Sequence, residues 1–263
     1  MGNLLRGTPF DGKVEVRGTV GSTNDDLRVL AALGAPQWTV VVAERQTAGR
    51  GRHGRRWHSA AGSGLYLSVL LRPRQPLEHV GRHTLAVSVA IAEACRSSCG
   101  VEVRIKWPND LIHDGLKLGG VLAELRSSTR YGPELVVGTG VNVDLSRAEI
   151  PPELAGIATS LRIASGRSML DRERLAGEYL LRLERIATLM DGEGWPEVRR
   201  RWLALSPGAN GDRVRVTSDH AGGSEQFDGR TAGIDDSGAL VVRRSDGALV
   251  TVSSPHSVSP LGE

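Results

Sequence analysis

The sequence contains KWPND at residues 106–110 and, after a short apolar gap, GLKLGG at residues 115–120. These two motifs hold Lys106 and Lys117, which are two of only three lysines among the 33 basic residues of this 263-residue chain. Because arginine supplies almost every other cation, a retained lysine indicates a position that needs a compact point charge in a confined site. The two motifs therefore mark the first candidate site.

Three strands are predicted around these motifs, over residues 101–107, 116–125 and 135–143. Turn residues separate them at Asp114-Gly115 and at 131–133, so each strand is followed closely by the next. Consecutive strands with short connections favour an antiparallel sheet, and such a sheet needs helices to cover its apolar face. The centre of the chain thus predicts a sheet backed by helices.

The N-terminal part predicts further strands of the same sheet. A strand over 13–20 is followed by the capping side chains of 22–25 and by a helix over 27–33. Buried strands are then predicted over 39–43 and 65–71. The glycine- and arginine-rich segment between these two strands is therefore a long loop.

The second half of the chain changes from helices to hairpins. Helices are predicted over 77–98, 172–190 and 195–205, with Leu175, Tyr179, Leu183, Ile186 and Leu189 forming one apolar stripe. Short strands follow at 213–216, 227–234, 240–244 and 249–253. Hairpins of this kind suit a small barrel. We therefore predict a catalytic or binding domain over 1–206 and a small β-barrel domain over 207–263.

The composition predicts a globular protein. Hydrophobic residues make up 40% and charged residues 24%, with a formal net charge of +3. This charge is too small to argue for nucleic acid by itself. No segment approaches about 18 consecutive apolar residues, so no membrane-spanning helix and a cytoplasmic location are expected. Cys95 and Cys99 lack a second ligand pair at zinc-site spacing and are interpreted as reduced packing thiols.

The loop after the second strand contains GRGRHG at residues 49–54, which satisfies G-x-G-x-x-G. A dinucleotide site is excluded because no helix follows the glycines directly and no acidic residue lies about 20 positions further on. Exposed backbone N–H groups and arginine side chains both suit phosphate or carboxylate oxygens, and Trp57 adds a stacking surface. The alternatives are a solvated basic loop without a ligand and a single-stranded nucleic-acid patch. For Trp57 the alternative is a core tryptophan.

Four motifs together resemble the biotin protein ligase family, in order and in spacing. They are GSTN at 21–24, QTAGRGR at 46–52, KWPND with KLGG at 106–110 and 117–120, and GTGVN at 138–142. The resemblance runs from about residue 14 to the C-terminus. Four ordered motifs are far more specific than any one of them.

The resemblance implies an α/β fold in which a catalytic domain like that of class II aminoacyl-tRNA synthetases, with a mixed or antiparallel sheet, is joined to a small C-terminal β-barrel of the Src-homology type. It implies an ATP-dependent ligase that activates biotin as biotinyl-5′-AMP and transfers it to a lysine. The expected cofactors are ATP and Mg²⁺, and the expected partner is the biotin carboxyl carrier domain of acetyl-CoA, acyl-CoA or pyruvate carboxylase. Because the first motif begins only about 20 residues into the chain, no N-terminal DNA-binding domain, no DNA and no membrane partner are expected.

The resemblance also implies roles for individual residues. The catalytic residues would be Lys117 as the central cation, Arg52, Lys106 and, as the acceptor of the proton of the attacking amine, Asp110. The biotin site would comprise Ser22, Thr23, Asn24, Gln46, Gly49, Arg50, Gly51, Arg52, Lys117 and Gly120. The ATP or adenylate site would comprise Arg52, Arg55, Trp57, Lys106, Asn109, Lys117 and Asn142. The sequence identifies no metal ligands.

Other interpretations remain open at this point. Ser22 and Thr23 also fit a purely structural role as helix caps. A lipoate- or octanoate-protein ligase or transferase would share the fold and the central lysine, but it would need a long apolar channel. A nucleic-acid-binding regulator would need a helix-turn-helix or a broad basic face. We further expect residues 48–64 to be mobile without ligand and to close over the adenylate.

Overall fold

The computed structural model describes residues 1–74, 80–128, 130–220, 223–253 and 258–261. Its larger sheet contains β1 (Val14–Val20), β2 (Val40–Gln46), β3 (Gly64–Leu71), β4 (Arg104–Lys106), β5 (Asp110–His113), β6 (Leu116–Ser128) and β7 (Gly132–Asn142). In space these seven strands are ordered β1-β2-β3-β7-β6-β5-β4. β1 and β2 run parallel, whereas the other neighbouring strands run antiparallel. The predicted mixed sheet is therefore confirmed.

The helices of the larger domain are α1 (Thr23–Ala32), α2 (Val80–Cys99), α3 (Leu161–Ser165), α4 (Arg172–Met190) and α5 (Trp195–Leu205). Most residues of α2 are buried, because the helix packs against the sheet through β6 and against α4 and α5. The apolar stripe predicted for α4 is buried except for Leu189, which is 38% exposed. None of the helices in the described ranges is long and apolar enough to cross a membrane.

Several element boundaries differ from the predictions. The strand predicted over 101–107 is shorter in the structure and consists of β4. It ends before Pro108, which has no N–H to donate to a neighbouring strand. The chain then turns and returns as β5, which the sequence did not predict. α1 begins at Thr23, four residues before the predicted start, and its first turn holds acidic residues, which the helix dipole favours. The short helix α3 was also not predicted.

A second sheet follows a short 3₁₀ turn at Pro207–Ala209. It contains β8 (Asn210–His220), β9 (Gly223–Ile234), β10 (Leu240–Arg244), β11 (Leu249–Val252) and β12 (Val258–Pro260). The strands are antiparallel in the order β11-β10-β9-β8-β12, which agrees with the predicted small β domain. β12 was not predicted, and the division of the chain at residues 206 and 207 remains our proposal.

The turn between β9 and β10 docks onto the larger domain. Trp107 Nε1 donates a hydrogen bond to Gly238 O at 3.1 Å, and Arg199 Nε donates to Ile234 O at 3.0 Å. Gly238 has φ +87°, and a Cβ there would lie 3.0 Å from Leu85 Cδ1, so a larger residue fits poorly. The C-terminal domain therefore contacts the KWPND hairpin directly through Trp107.

Candidate active site

One cavity of about 980 Å³ opens on the face of the larger sheet and is bounded on one side by the C-terminal domain. It is lined by the predicted residues Ser22, Thr23, Asn24, Gln46, Arg50, Gly51, Arg52, Arg55, Trp57, Lys106, Asn109, Asp110, Lys117, Gly120 and Asn142. Gly49 is the one predicted site residue that does not line it. Motifs from four separate parts of the chain thus converge on a single space.

Lys117 and Asp110, which both line this cavity, form an ion pair. Lys117 Nζ lies 2.6 Å from Asp110 Oδ1 and 5.8 Å from the centre of the Trp57 ring. The backbone of Lys117 is held from outside the hairpin, since its N–H donates to Ile157 O at 2.7 Å and its O accepts from Thr159 N at 2.9 Å. The backbone of Lys117 is therefore held in place, and its ammonium group is held by Asp110.

Two further cations surround this pair. Lys106 lies directly across from Asp110 in the β4–β5 ladder. The Arg52 side chain is partly buried, and burial lowers the pKa of its guanidinium, while the negative charge of Asp110 opposes that change. Three cations around one carboxylate leave this end of the cavity positive, so it suits an anionic ligand. We call it the charged end.

The opposite part of the cavity carries neutral polar groups at the start of α1, and we call it the ring end. Gln46 Oε1 accepts from Thr23 N at 2.9 Å and lies 3.1 Å from Thr23 Oγ1, and Gln46 Nε2 donates to Ser59 Oγ at 3.0 Å. Ser22 occupies the N-cap position, but its side chain makes no capping hydrogen bond. The alternative that Ser22 serves only as a side-chain cap is therefore wrong.

Asn24 lies at the ring end with its amide engaged by protein groups. Its Nδ2 donates to Glu124 Oε2 at 2.7 Å, and its Oδ1 accepts from Ser68 Oγ at 2.6 Å. Gly138 makes this position possible, because a Cβ at Gly138 would collide with the Asn24 amide. This geometry gives Asn24 a supporting position beside the cavity.

Two of the residues predicted to bind adenine also hold the main chain around the cavity. Asn109 Nδ2 donates to Val121 O at 2.7 Å, and Asn142 Nδ2 donates to Thr159 O at 2.9 Å, so both amide nitrogens hold main chain. The Trp57 indole lies against Gly140, where a Cβ would come within 2.7 Å of Nε1. The ring therefore depends on glycine at 140 for its place beside Lys117.

The arginine loop, residues 49–57, is anchored to α1 near its first residues. The Arg50 guanidinium forms a two-pronged ion pair with Asp25 and also lies 3.4 Å from Glu124. The hydrogen bond to Arg50 lowers the pKa of Asp25, and the same bond raises the pKa of Arg50. Gly49 lets the chain pass close to the backbone of Trp57, since a Cβ at residue 49 would lie 2.8 Å from Trp57 O. Arg50 thus fastens the loop to α1.

We expect Arg50→Gln to open this loop. An ion pair of this exposure contributes about 1 kcal/mol, so the open population and the rate of tryptic cleavage at Arg52, Arg55 or Arg56 should rise about fivefold. Cleavage would be followed by mass spectrometry. Arg28→Gln is the matched control, because Arg28 pairs with the same Asp25 only at 3.7 Å. Equal cleavage of both variants would show that Arg50 does not anchor the loop.

Several cavity or supporting residues were not predicted. They are Ser59, Ser68, Glu124, Gly138, Gly140, Ile157, Ala158, Asp212, Thr231 and Leu240. The two glycines lie within a predicted motif, so their spacing could have indicated them. Asp212, Thr231 and Leu240 come from the C-terminal domain, and no local pattern marks them.

Comparison with known proteins gives matches along most of the chain. Residues 21–142 match the model of the biotin/lipoate A/B protein ligase family, and residues 211–254 match the biotin protein ligase C terminal domain. The biotin–[acetyl-CoA-carboxylase] ligase of Mycobacterium tuberculosis is 37% identical over 234 residues, covering 87% of this chain and 82% of that protein. The bifunctional ligase/repressor BirA of Bacillus subtilis is 34% identical over 245 residues, covering 90% and 74%.

The fold has a similar counterpart among solved structures. The biotin protein ligase from Aquifex aeolicus in complex with biotin and ATP superposes with a TM-score of 0.79 at 26% identity, covering 95% of this chain and 99% of that one. Sequence relatives, both domain families and the fold agree with the cavity described above. The chain is therefore an enzyme of the biotin protein ligase family.

Proposed function

We propose that this protein activates biotin with ATP as biotinyl-5′-adenylate and transfers the biotinyl group to a lysine of a biotin carboxyl carrier domain. The observation that carries the proposal is one cavity with the Lys117–Asp110 pair at its charged end and neutral hydrogen-bonding groups at its ring end. A ligand with an anionic tail and a neutral polar ring would satisfy both ends. The solved relative with biotin and ATP bound supports the same substrates.

The first step brings a carboxylate against the α-phosphate of ATP. A carboxylate oxygen forms a bond to the α-phosphorus while the bond to pyrophosphate breaks. Since like charges meet, preorganised cations lower the barrier. Lys117 uses one of its three N–H donors on Asp110 and keeps two, one for each reacting anion. Arg52 and Lys106 would hold the phosphate side.

The second step attaches the biotinyl group to the acceptor. A lysine amine attacks the carbonyl carbon of the mixed anhydride, a C–N bond forms, the C–O bond to AMP breaks, and the amine loses a proton. Asp110 Oδ1 is engaged by Lys117, so the second carboxylate oxygen is the one that would take or orient this proton. Asp110 would therefore serve both steps.

ATP would occupy the space beside Trp57, with the indole stacking on adenine. No group of three or more His, Cys, Asp or Glu side chains in the described part of the chain could hold a metal ion. Mg²⁺ would accordingly be held mainly by the phosphate oxygens of ATP, where it would neutralise charge on the leaving pyrophosphate. The name of the Mycobacterium tuberculosis relative supports an acetyl-CoA carboxylase as the source of the acceptor. Acyl-CoA and pyruvate carboxylases would complete the proposed partner class.

The test is intact-mass spectrometry of a purified biotin carboxyl carrier domain incubated with this protein, MgATP and one acid at a time. Addition of one biotinyl group in the biotin reaction, and none in the lipoate or octanoate reactions, is the expected result. Modification with lipoate or octanoate but not with biotin would keep the fold and overturn the proposed substrate.

We expect Trp107→Phe to slow the first step because it removes the hydrogen bond to Gly238 O while keeping an aromatic ring next to Lys106. A small displacement of the β4–β5 hairpin should lower kcat for pyrophosphate release about fivefold. The Kd for biotin should stay unchanged, because the lost hydrogen bond does not involve the ring end. Trp38→Phe is a control, since Trp38 packs on Phe10 and does not line the cavity. An unchanged kcat would mean that docking of the C-terminal domain does not brace the hairpin.

A further inference from the structure

A chain of hydrogen bonds runs from Glu124 to the ring end of the cavity. Asn24 Nδ2 lies 2.7 Å from Glu124 Oε2 and 3.4 Å from Leu122 O. On the other side of the amide, Ser68 Oγ lies 2.6 Å from Asn24 Oδ1 and 2.7 Å from Thr23 Oγ1. Ser68 is 0% exposed, Asn24 3% and Thr23 4%. These groups are shielded from water, so they must satisfy one another.

The direction of each hydrogen bond follows from the protons available. The Glu124 carboxylate and the Leu122 carbonyl only accept, so the Asn24 nitrogen faces them and its oxygen faces Ser68. That oxygen has no proton, so Ser68 gives it its single hydroxyl proton. Because Ser68 then has no second proton, a hydrogen bond across the 2.7 Å contact between the two hydroxyls would need the Thr23 proton.

Thr23 therefore turns only lone pairs toward the cavity. The second acceptor near its hydroxyl, Gln46 Oε1 at 3.1 Å, would use the same single proton. In either arrangement no Thr23 proton remains for a ligand. A shielded acceptor of this kind binds a ligand N–H, and it is left unpaired by a ligand that has none, which costs binding free energy.

We infer that Glu124, Asn24 and Ser68 are positioning residues that set ligand choice by fixing the Thr23 hydroxyl as an acceptor. The selected class is a carboxylic acid whose ring carries N–H groups, as a cyclic urea does. The class selected against is an acid without a ring N–H, such as lipoate. This inference rests on the proposed function and adds to it residues that act through Thr23.

The experiment compares binding of biotin and of lipoate, which shares a carboxylate tail and a five-membered ring, by titration calorimetry with competition for the weaker ligand. Ser68→Ala removes the nearer acceptor of the Thr23 proton, so that only Gln46 Oε1 at 3.1 Å remains of the two, and it leaves Asn24 Oδ1 without the Ser68 donor. The Kd for biotin should rise about tenfold, which corresponds to one hydrogen bond, and the Kd for lipoate should change less than about twofold. Ser88→Ala is the matched control, because Ser88 is also 0% exposed and its Oγ donates to Thr84 O, within α2.

Glu124→Gln tests the same chain with no loss of volume. A glutamine amide can either accept or donate, so the orientation of Asn24 then depends on the longer 3.4 Å contact with Leu122 O, and the preference for biotin over lipoate should fall about threefold. Glu124 also forms an ion pair with Arg50, so Glu124→Gln weakens that pair as well. Asp25→Asn is the control for this effect, because it weakens the other ion pair of Arg50. It should leave the preference for biotin over lipoate unchanged.

Equal weakening of both ligands by Ser68→Ala, or an unchanged preference in Glu124→Gln, overturns the inference. If Ser68→Ala does not fold, Glu124→Gln alone decides. A wild-type protein that binds lipoate as tightly as biotin overturns the proposed function, and the inference with it. Failure at the level of the substrate is thus visible in the wild-type protein, whereas failure of the hydrogen-bond chain is visible only in the variants.

Discussion

Replacing Lys117 by alanine is expected to slow adenylate formation about 10³-fold, the largest effect of any single change proposed for this protein. Removing one preorganised donor from a charge-stabilising site commonly costs about 10²–10³ in rate, and here the donor is a full cation between two anions. Asp110 would also lose its partner at 2.6 Å and repel the incoming carboxylate. Pyrophosphate release under saturating biotin and MgATP measures the step directly.

The three lysines of the chain provide their own controls. Lys13 donates to Gln37 O at 3.5 Å and does not line the cavity, so Lys13→Ala should retain wild-type activity. Lys106→Ala should cost less than Lys117→Ala, because Lys106 assists at the phosphate side. Lys117→Arg should not restore the rate, since a planar guanidinium cannot replace a compact ammonium next to the Trp57 ring. A Lys117→Ala enzyme within tenfold of wild type would exclude the central-cation role.

The scarcity of lysine in the sequence indicated this site, and the two lysines of the motifs lie close together in the structure. A chain that uses arginine elsewhere keeps lysine at Lys106 and Lys117, and the structure brings both beside Asp110. The two motifs lie on the adjacent strands β4, β5 and β6, so their short separation in the sequence already placed the two lysines near each other, although β5 was not predicted. The structure places the motifs around one cavity, and the chemical role of each residue remains a proposal.

Other features depend on contacts between distant parts of the chain. The pairing of Asn24 with Glu124 joins residues 100 positions apart, and Trp107 meets Gly238 across 131 positions. No periodicity or motif indicates such pairs, because their choice is made by the packing of the whole sheet. The same reason explains Arg50, which the sequence predicted as a ligand residue and the structure pairs with Asp25.

The expectation that residues 48–64 are mobile without ligand remains a prediction, and the structure shows which contacts this segment makes. Arg50, Arg52, Arg55 and Arg56 lie close together in the sequence and repel one another. Within the fold, Gly51 N donates to Arg55 O at 2.7 Å and Trp57 N donates to Gly49 O at 2.8 Å, so the loop is folded back on itself. The repulsion is offset by the carboxylate of Asp25, which comes from the preceding helix. Closure over the adenylate remains a prediction.

Asp110→Asn is expected to slow transfer from preformed biotinyl-5′-adenylate about 10²-fold at pH 7, a typical effect of losing a general base. A lysine amine in water has a pKa of about 10.4, so the acceptor is almost fully protonated at pH 7 and needs a group to take its proton. As pH rises toward 10 the neutral amine forms without help, so the defect should shrink severalfold. Using preformed adenylate removes the first step from the measurement, which matters because Asp110 also holds Lys117.

The pH profile separates the two roles of this carboxylate. If Asp110 acted only by holding Lys117 at 2.6 Å, the transfer defect would be the same at pH 7 and at pH 9.5, because the position of a lysine does not depend on the protonation of the acceptor. A defect that disappears at high pH instead identifies Asp110 as the group that takes the proton of the acceptor amine. Asp114→Asn is the matched control, since Asp114 follows the same hairpin strand but its side chain is exposed outside the cavity. Its transfer rate should follow the wild-type profile throughout.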